Sequence, residues 1–196
     1  MEGAQIECER DFQEGMATIS LCNIDDLEIQ YGYIDSQGNI VVPCIYSEAG
    51  TFNDGIARVR IGPDFPVASV DQRMLPDRYG YIDKSGEIVI PLRYDDLGDF
   101  HEGLAAAAIK GKWGFINRVG ELVIPFEYDD AKFLVKDWRR SSVKRNGEFH
   151  NGFAKVSINV GGGLFDSIDG FINSKGEEVI PCQYPVADDF HYTDGE

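Results

Sequence analysis

At 196 residues, 43 % of them hydrophobic and 27 % charged, the chain is long enough to bury roughly 70 % of the surface its unfolded form would expose, so one self-supporting domain is expected. A formal net charge of −16 excludes nucleic acid and anionic lipid as partners of the surface as a whole, since both are bound by neutralising negative charge with Lys and Arg. The 22 glycines and 12 % aromatics favour turn-rich β structure over helix.

No apolar stretch approaches the roughly 18 residues of a spanning helix, and the opening MEGAQIECERDFQEG has no positively charged or apolar region of a signal peptide. A cytoplasmic chain is the simpler expectation, although a leader already removed would leave the same sequence. The four cysteines form no CxxC pair and no zinc spacing. Cys44 and Cys182 share a repeat position with Leu92 and Phe126, which predicts packed structural thiols. Cys8 and Cys22 are unplaced, and a disulfide between them stays open.

In chain order, the first predicted element is an alternating strand over 12–21, with Ala17, Ile19 and Leu21 on one face and Thr18 and Ser20 on the other. A frame of glycine, glycine, proline and tyrosine at fixed spacing follows, and it recurs four times. Its copies are Gly32/Gly38/Pro43/Tyr46, Gly80/Gly86/Pro91/Tyr94, Gly114/Gly120/Pro125/Tyr128 and Gly170/Gly176/Pro181/Tyr184. Fixed spacing between variable segments means one supersecondary unit used repeatedly.

Each unit opens with a short β-prone run (YGYID, YGYID, WGFIN, DGFIN) ending on Asp35, Asp83, Asn117 or Asn173, three residues before the second glycine. Asx at the first position of a turn and Gly at the fourth predict a type I turn with a glycine bulge. The return run (IVVP, IVIP, LVIP, EVIP) is almost continuously apolar, which predicts a strand buried on both faces and stopped by its proline. An acidic stretch then leads to a last, alternating strand after FQEG, FNDG, FHEG or FHNG, expected to be the half-exposed outer strand.

The chain thus begins on an outer strand and ends on a hairpin without one. One economical explanation is an all-β, propeller-like ring closed when residues 12–21 complete the final unit, with a short fourth strand in the acidic stretch restoring strand direction. The alternative is an open β-repeat solenoid. The units run over about 31–61, 79–110, 113–158 and 169–190, with insertions at about 63–78, 132–148 and 159–168.

KWGFIN at 112–117, followed by GELVIPFEYDDA and preceded by DFHEGLA, resembles the WG-repeat family of largely bacterial proteins. The resemblance covers most of residues 12–190. Departures are Tyr31 and Tyr79 for tryptophan, Asp169 for an aromatic, and Glu178 within the return strand. The resemblance implies non-catalytic interaction modules, with no catalytic residues to carry over.

The residue pattern agrees with that expectation. His101, His150 and His191 all follow the repeat phenylalanine, where other copies have Gln13 and Asn53, so they read as polar turn residues. The acidic pairs Asp95/Asp96, Asp129/Asp130 and Asp188/Asp189 recur in one turn, as strand terminators and solvating groups do; a hydrolase built on them is the least favoured reading. No catalytic, cofactor or metal site is expected.

Function in repeat proteins sits where a copy breaks the pattern. The insertion at 132–148 holds six basic and two acidic residues. Trp138, Arg139, Arg140, Lys144 and Arg145 are of the types common at interface hot spots, and either bind an acidic protein partner or dock onto the chain's own acidic rim. The expected function is a non-catalytic β-repeat scaffold mediating protein–protein interaction through inserted loops. The alternative is a carbohydrate or small-ligand binding module.

Overall fold

The computed structural model describes residues 4–8, 11–23, 29–62, 78–129, 148–161 and 167–184. Among them are 15 strands and no helix. The chain divides into two compact units, Met1–Leu97 and Gly98–Glu196.

In the first unit β1 (Ala4–Cys8), β2 (Met16–Asn23), β3 (Ile29–Asp35) and β4 (Ile40–Tyr46) form one sheet in that order. The next sheet has the order β5 (Glu48–Ala49), β6 (Ile56–Ile61), β7 (Arg78–Asp83) and β8 (Ile88–Tyr94), and the two-residue strand β9 (Asp96–Leu97) ends the unit. In the second unit β10 (Leu104–Ile109), β11 (Lys112–Asn117) and β12 (Leu122–Tyr128) are neighbours in one sheet. There β13 (Phe153–Asn159), β14 (Ser167–Asn173) and β15 (Glu178–Tyr184) are neighbours in another. The registered pairings are antiparallel.

The hairpin turn forms as its chemistry dictates. Gly38 N–H donates to Asp35 O at 3.0 Å, Asp35 N–H donates to Asn39 O at 3.0 Å, and Gly38 lies at φ +85°, where a side chain is costly. The same pair of bonds closes the turns from Asp83, Asn117 and Asn173.

Beyond the turn the structure corrects the expected strand end. β4 does not stop at Pro43 but continues to Tyr46, with Tyr33 opposite Val42 and Tyr31 opposite Tyr46. Three residues, Pro43 among them, therefore face the single residue Gly32. A proline without an N–H is accommodated in such a bulge, because no ladder bond is asked of it. The bulge brings the return strand so close that a Cβ on Gly80 would stand 2.5 Å from Ile90 O, and one on Gly170 2.6 Å from Ile180 O. The first glycine of the frame is thus required by contact, and the second by conformation.

The predicted burial is also reversed. The return strands lie at sheet edges with their first residues open to solvent: Ile40 is 54 % exposed and Ile88 56 %. Three of the four strands expected to be outer and half-exposed, β2, β6 and β10, are interior to their sheets, β6 between β5 and β7, where Ala57, Arg58 and Val59 are buried in sequence; β13 is at the edge of its described sheet. In β2 the two polar residues Thr18 and Ser20 are as buried as their apolar neighbours. Small side chains make this possible, and in β10 all of Ala105–Ala108 are buried.

Residues 12–21 do not complete the last hairpin. β2 pairs with β1 on one side and β3 on the other, so both its edges are used within the first sheet, while β14 and β15 have β13. Each hairpin is completed by the strand that precedes it. The expected short strand in the acidic stretch is present as β5 and β9. In the last sheet Asp129 N–H donates to Ser157 O as Ser47 N–H does to Arg60 O, the bond that opens the β5–β6 pairing.

Within each unit one core spans both sheets. In the first it contains Tyr33, Val42, Tyr46, Phe52, Val59 and Ile82; in the second Phe115, Ile124, Tyr128, Phe149, Val156 and Ile172. Neighbouring sheets are keyed by the repeat phenylalanine, which meets the preceding hairpin's aromatic edge-on: Tyr33–Phe52 at 4.8 Å and Phe115–Phe149 at 5.0 Å. The Tyr33 hydroxyl also donates to Gly50 O at 2.7 Å. The second glycine of the frame packs on the previous hairpin as well, Gly86 over Val42 and Gly176 over Ile124.

The two glycine requirements predict different costs. Gly80→Ala forces backbone apart and lowers stability by about 3 kcal/mol, whereas Gly103→Ala, at φ +84° with open space around it, costs about 1 kcal/mol. Urea unfolding of the two variants measures the difference.

Candidate functional site

Two kinds of turn carry most of the repeated polar residues. At the hairpin turns the Asx side chain is consumed locally: Asp83 Oδ1 accepts from the N–H groups of Ser85 (2.8 Å) and Glu87 (3.0 Å), and from Ser85 Oγ. Asn117 and Asn173 accept the same two backbone bonds, as does Asp35. The Ser85 hydroxyl and these amides hold the Asp83 carboxyl below the usual carboxylate range, and Asn39 with the turn amides does so for Asp35.

At the other end of the strands, the turn before each of β2, β6, β10 and β13 has two residues at positive φ: Glu14/Gly15, Asp54/Gly55, Glu102/Gly103 and Asn151/Gly152. This is a type I′ geometry, which suits the twist of the strands it joins. The glutamates at this position reach the next turn along the chain. Glu14 accepts from Asp54 N–H at 2.6 Å and Gly55 N–H at 3.0 Å and pairs with Lys84 at 3.0 Å, while Glu102 accepts from Gly152 N–H at 2.8 Å. Lys84 and the Gly55 amide hold the Glu14 carboxyl below its ordinary value.

The histidines open these turns. His101 and His150 each exchange backbone bonds across the turn, with Leu104 and Phe153 respectively. Their rings lie 5.5 Å apart, and Glu148 Oε2 stands 3.6 Å from His101 Nε2 and 3.5 Å from His150 Nε2. Among the described residues no group of His, Cys, Asp and Glu is placed to hold a metal ion. His191 lies outside the described residues.

The acidic pairs are dispersed. Asp95 pairs with Arg78 at 2.5 Å, Asp129 pairs with Lys112, and Asp96 Oδ1 accepts from Leu97 N–H at 2.8 Å. The Lys112 ammonium holds the Asp129 carboxyl below its usual range. Asp130, Asp188 and Asp189 lie outside the described residues, as do the five candidate partner-binding residues Trp138, Arg139, Arg140, Lys144 and Arg145, nearly all of the insertions at 63–78 and 132–148, and half of that at 159–168.

Sequence reasoning missed one repeat position at which the copies differ in chemistry. On β6 it holds Arg58 and Arg60, where β2 has Thr18 and Ser20 and β10 has Ala106 and Ala108. Arg58 donates to Leu97 O at 2.8 Å and to Glu48 at 3.1 Å, Arg60 stands 3.4 Å from Glu48, and both guanidinium groups lie over the Tyr79 ring. Burial and the Glu48 carboxylate push the Tyr79 hydroxyl up to about 12.

In the last copy the same position holds Lys155 and Ser157, and Asp169 replaces the aromatic. Ser157 Oγ donates to Asp169 at 2.6 Å, with Lys155 3.7 Å away, so the buried carboxylate is paired. The signal was available as charge in a position otherwise filled by small residues. Glu178, the other departure, is exposed and therefore costs nothing.

Cys44 and Cys182 are half-buried free thiols, and burial pushes the Cys182 thiol up to about 11. The β1–β2 register sets Cys8 opposite Ile19, three residues from Cys22. That is roughly 10 Å along the strand, beyond the reach of a disulfide.

Two measurements follow from these titrations. The folded Asp83 carboxyl lies below its unfolded value, so its contribution is complete above about pH 4 and is lost as pH falls through the folded value. Asp83→Asn, with the side chain used in the third and fourth copies, therefore leaves the urea midpoint at pH 7 unchanged and flattens its fall below pH 4. Iodoacetamide at pH 8 alkylates Cys182 on the order of 100-fold more slowly than a cysteine in an unfolded peptide, read by mass spectrometry of the labelled chain.

No curated protein and no solved structure matches the chain. The family described as WG containing repeat matches residues 31–62, 79–113, 113–148 and 170–195. The first matched segment takes in the hairpin β3–β4 together with β5 and β6 of the next sheet, so the sequence repeat straddles two sheets and ties them covalently. With four matches spread over more than half its length, the chain belongs to the WG-repeat family.

Proposed function

We propose that the protein is a non-catalytic β-repeat scaffold that mediates protein–protein interaction. The observation that carries this reading is the employment of the repeated polar side chains: Asx residues close hairpin turns, turn glutamates bind the next turn, and Asp95 and Asp129 pair with cations on neighbouring strands. Groups satisfied by the framework are not poised for acid–base or nucleophilic work, which needs convergent side chains around one reacting position. Among the described residues the framework leaves aliphatic surface exposed, and in the sequence the insertions are the segments that depart from the repeat.

In this reading the basic insertion at 132–148 contributes the contact, with Trp138 as the aromatic anchor and Arg139, Arg140, Lys144 and Arg145 supplying charge to an acidic partner. Replacing all five by alanine is expected to remove at least one protein from those co-purifying with the tagged chain in its native cell, measured by quantitative mass spectrometry. A set of partners unchanged in identity and affinity refutes the role given to the insertion. A glycan array is expected to be silent.

A further inference from the structure

We infer that the start of the return strand β8 in the first unit, and that of β12 in the second, each forms by itself a docking surface for a basic polypeptide segment with interleaved apolar side chains. The inference rests on the scaffold reading and names a surface and a partner chemistry for it. In the first unit Glu87-Ile88-Val89, and in the second Glu121-Leu122-Val123, are exposed at all three positions. Ile40 is exposed at the position of Ile88 and Leu122, with the next residue Val41 half-buried, and Val179 is exposed at the position of Val89 and Val123, with Glu178 before it.

Successive strand residues point to opposite faces, so two exposed aliphatics in a row mean that the strand start stands clear of its sheet on both sides. Among the described residues, Ile88, Val89, Leu122 and Val123 lie outside the two cores. Single exposed apolar residues need no explanation, but two in a row at the same frame position of β8 and of β12 do.

The backbone of these edges is unsuited to strand addition. The proline at the centre of each return strand offers no N–H, and the bulge over the first glycine breaks the ladder geometry, two devices that blunt sheet edges. A partner is therefore held by side chains. In β8 and β12 the aliphatic step is led by a glutamate, Glu87 or Glu121, on a chain of net charge −16. Apolar side chains that cover the aliphatics and Lys or Arg that reach the glutamates complement that pattern, while an acidic segment or an anionic membrane meets repulsion.

The test titrates the full chain with two synthetic peptides of equal length and charge, one alternating Lys with Leu and the other Lys with Ser. The inference expects the Leu peptide to bind about tenfold tighter than the Ser peptide. It also expects the combined variant Ile88→Ser, Val89→Ser, Leu122→Ser, Val123→Ser to abolish that difference while leaving the Ser peptide's affinity unchanged. The corresponding threonine variant places a β-branched, strand-favouring residue at all four positions and gives the same result if serine unfolds them.

Equal binding of the two peptides to the parent chain, or a preference retained by both variants, overturns the inference. A cellular partner lost with the insertion variant but bound normally by the return-strand variants overturns it while the scaffold reading stands. If no protein co-purifies in a way that depends on either surface, the scaffold reading fails.

Discussion

The fold depends on the closeness with which each return strand crosses the first glycine of its hairpin. Gly32, Gly80, Gly114 and Gly170 leave no room for a Cβ beneath the bulged backbone. The bulge turns the strand so that Val42, Ile90 and Ile124 enter the core before it and Tyr46, Tyr94 and Tyr128 enter after it. A strand with unbroken two-residue alternation would also bring Cys44 to the core face, but the bulge leaves it only half-buried. Glycine, proline and tyrosine at fixed spacing are therefore one device: space, an interruption of the ladder, and the anchor that resumes packing.

The same frame also sets how one sheet meets the next within a unit. Gly86 and Gly176 take positive φ in their own turns and rest on Val42 and Ile124 of the sheet before. Phe52 and Phe149 meet Tyr33 and Phe115 edge-on, in pairs worth about 1 kcal/mol beyond their buried area. The Glu14 and Glu102 carboxylates add polar ties by reaching the following turn. Because these contacts repeat at fixed frame positions, two residue types that look like local turn signals, the second glycine and the turn acid, are also interface residues.

Local chemistry was legible in the sequence. Asp35 to Gly38 and its copies specify their turn through bonds within five residues, so no knowledge of the rest of the chain is needed. Burial was not legible, for two reasons. Apolar periodicity assumes a regular pleat, and the bulge at Pro43 breaks it, so Ile40-Val41-Val42 reads as doubly buried while Ile40 stands in solvent. Side-chain size also misleads: Thr18, Ser20 and Ala105–Ala108 carry little hydrophobic signal, yet their smallness lets interior strands pack closely. Pairing order was hidden as well, because the sequence repeat begins at the hairpin and the sheet begins two strands earlier.

That offset has an energetic consequence. A segment such as 31–62 supplies the hairpin of one sheet and the interior strand of the next, so excising it leaves two incomplete sheets with open edges. Its aromatic contact Tyr33–Phe52 lies between those two sheets rather than within either. Stability in such a chain comes from the junctions as much as from the repeats, as expected where a unit cannot bury its own apolar face. Selection on the frame is then selection on junctions. It bears less on the starts of the return strands, which stand exposed, and on the insertions, where the copies differ in length. These are the places at which one copy can diverge from another without loosening the whole.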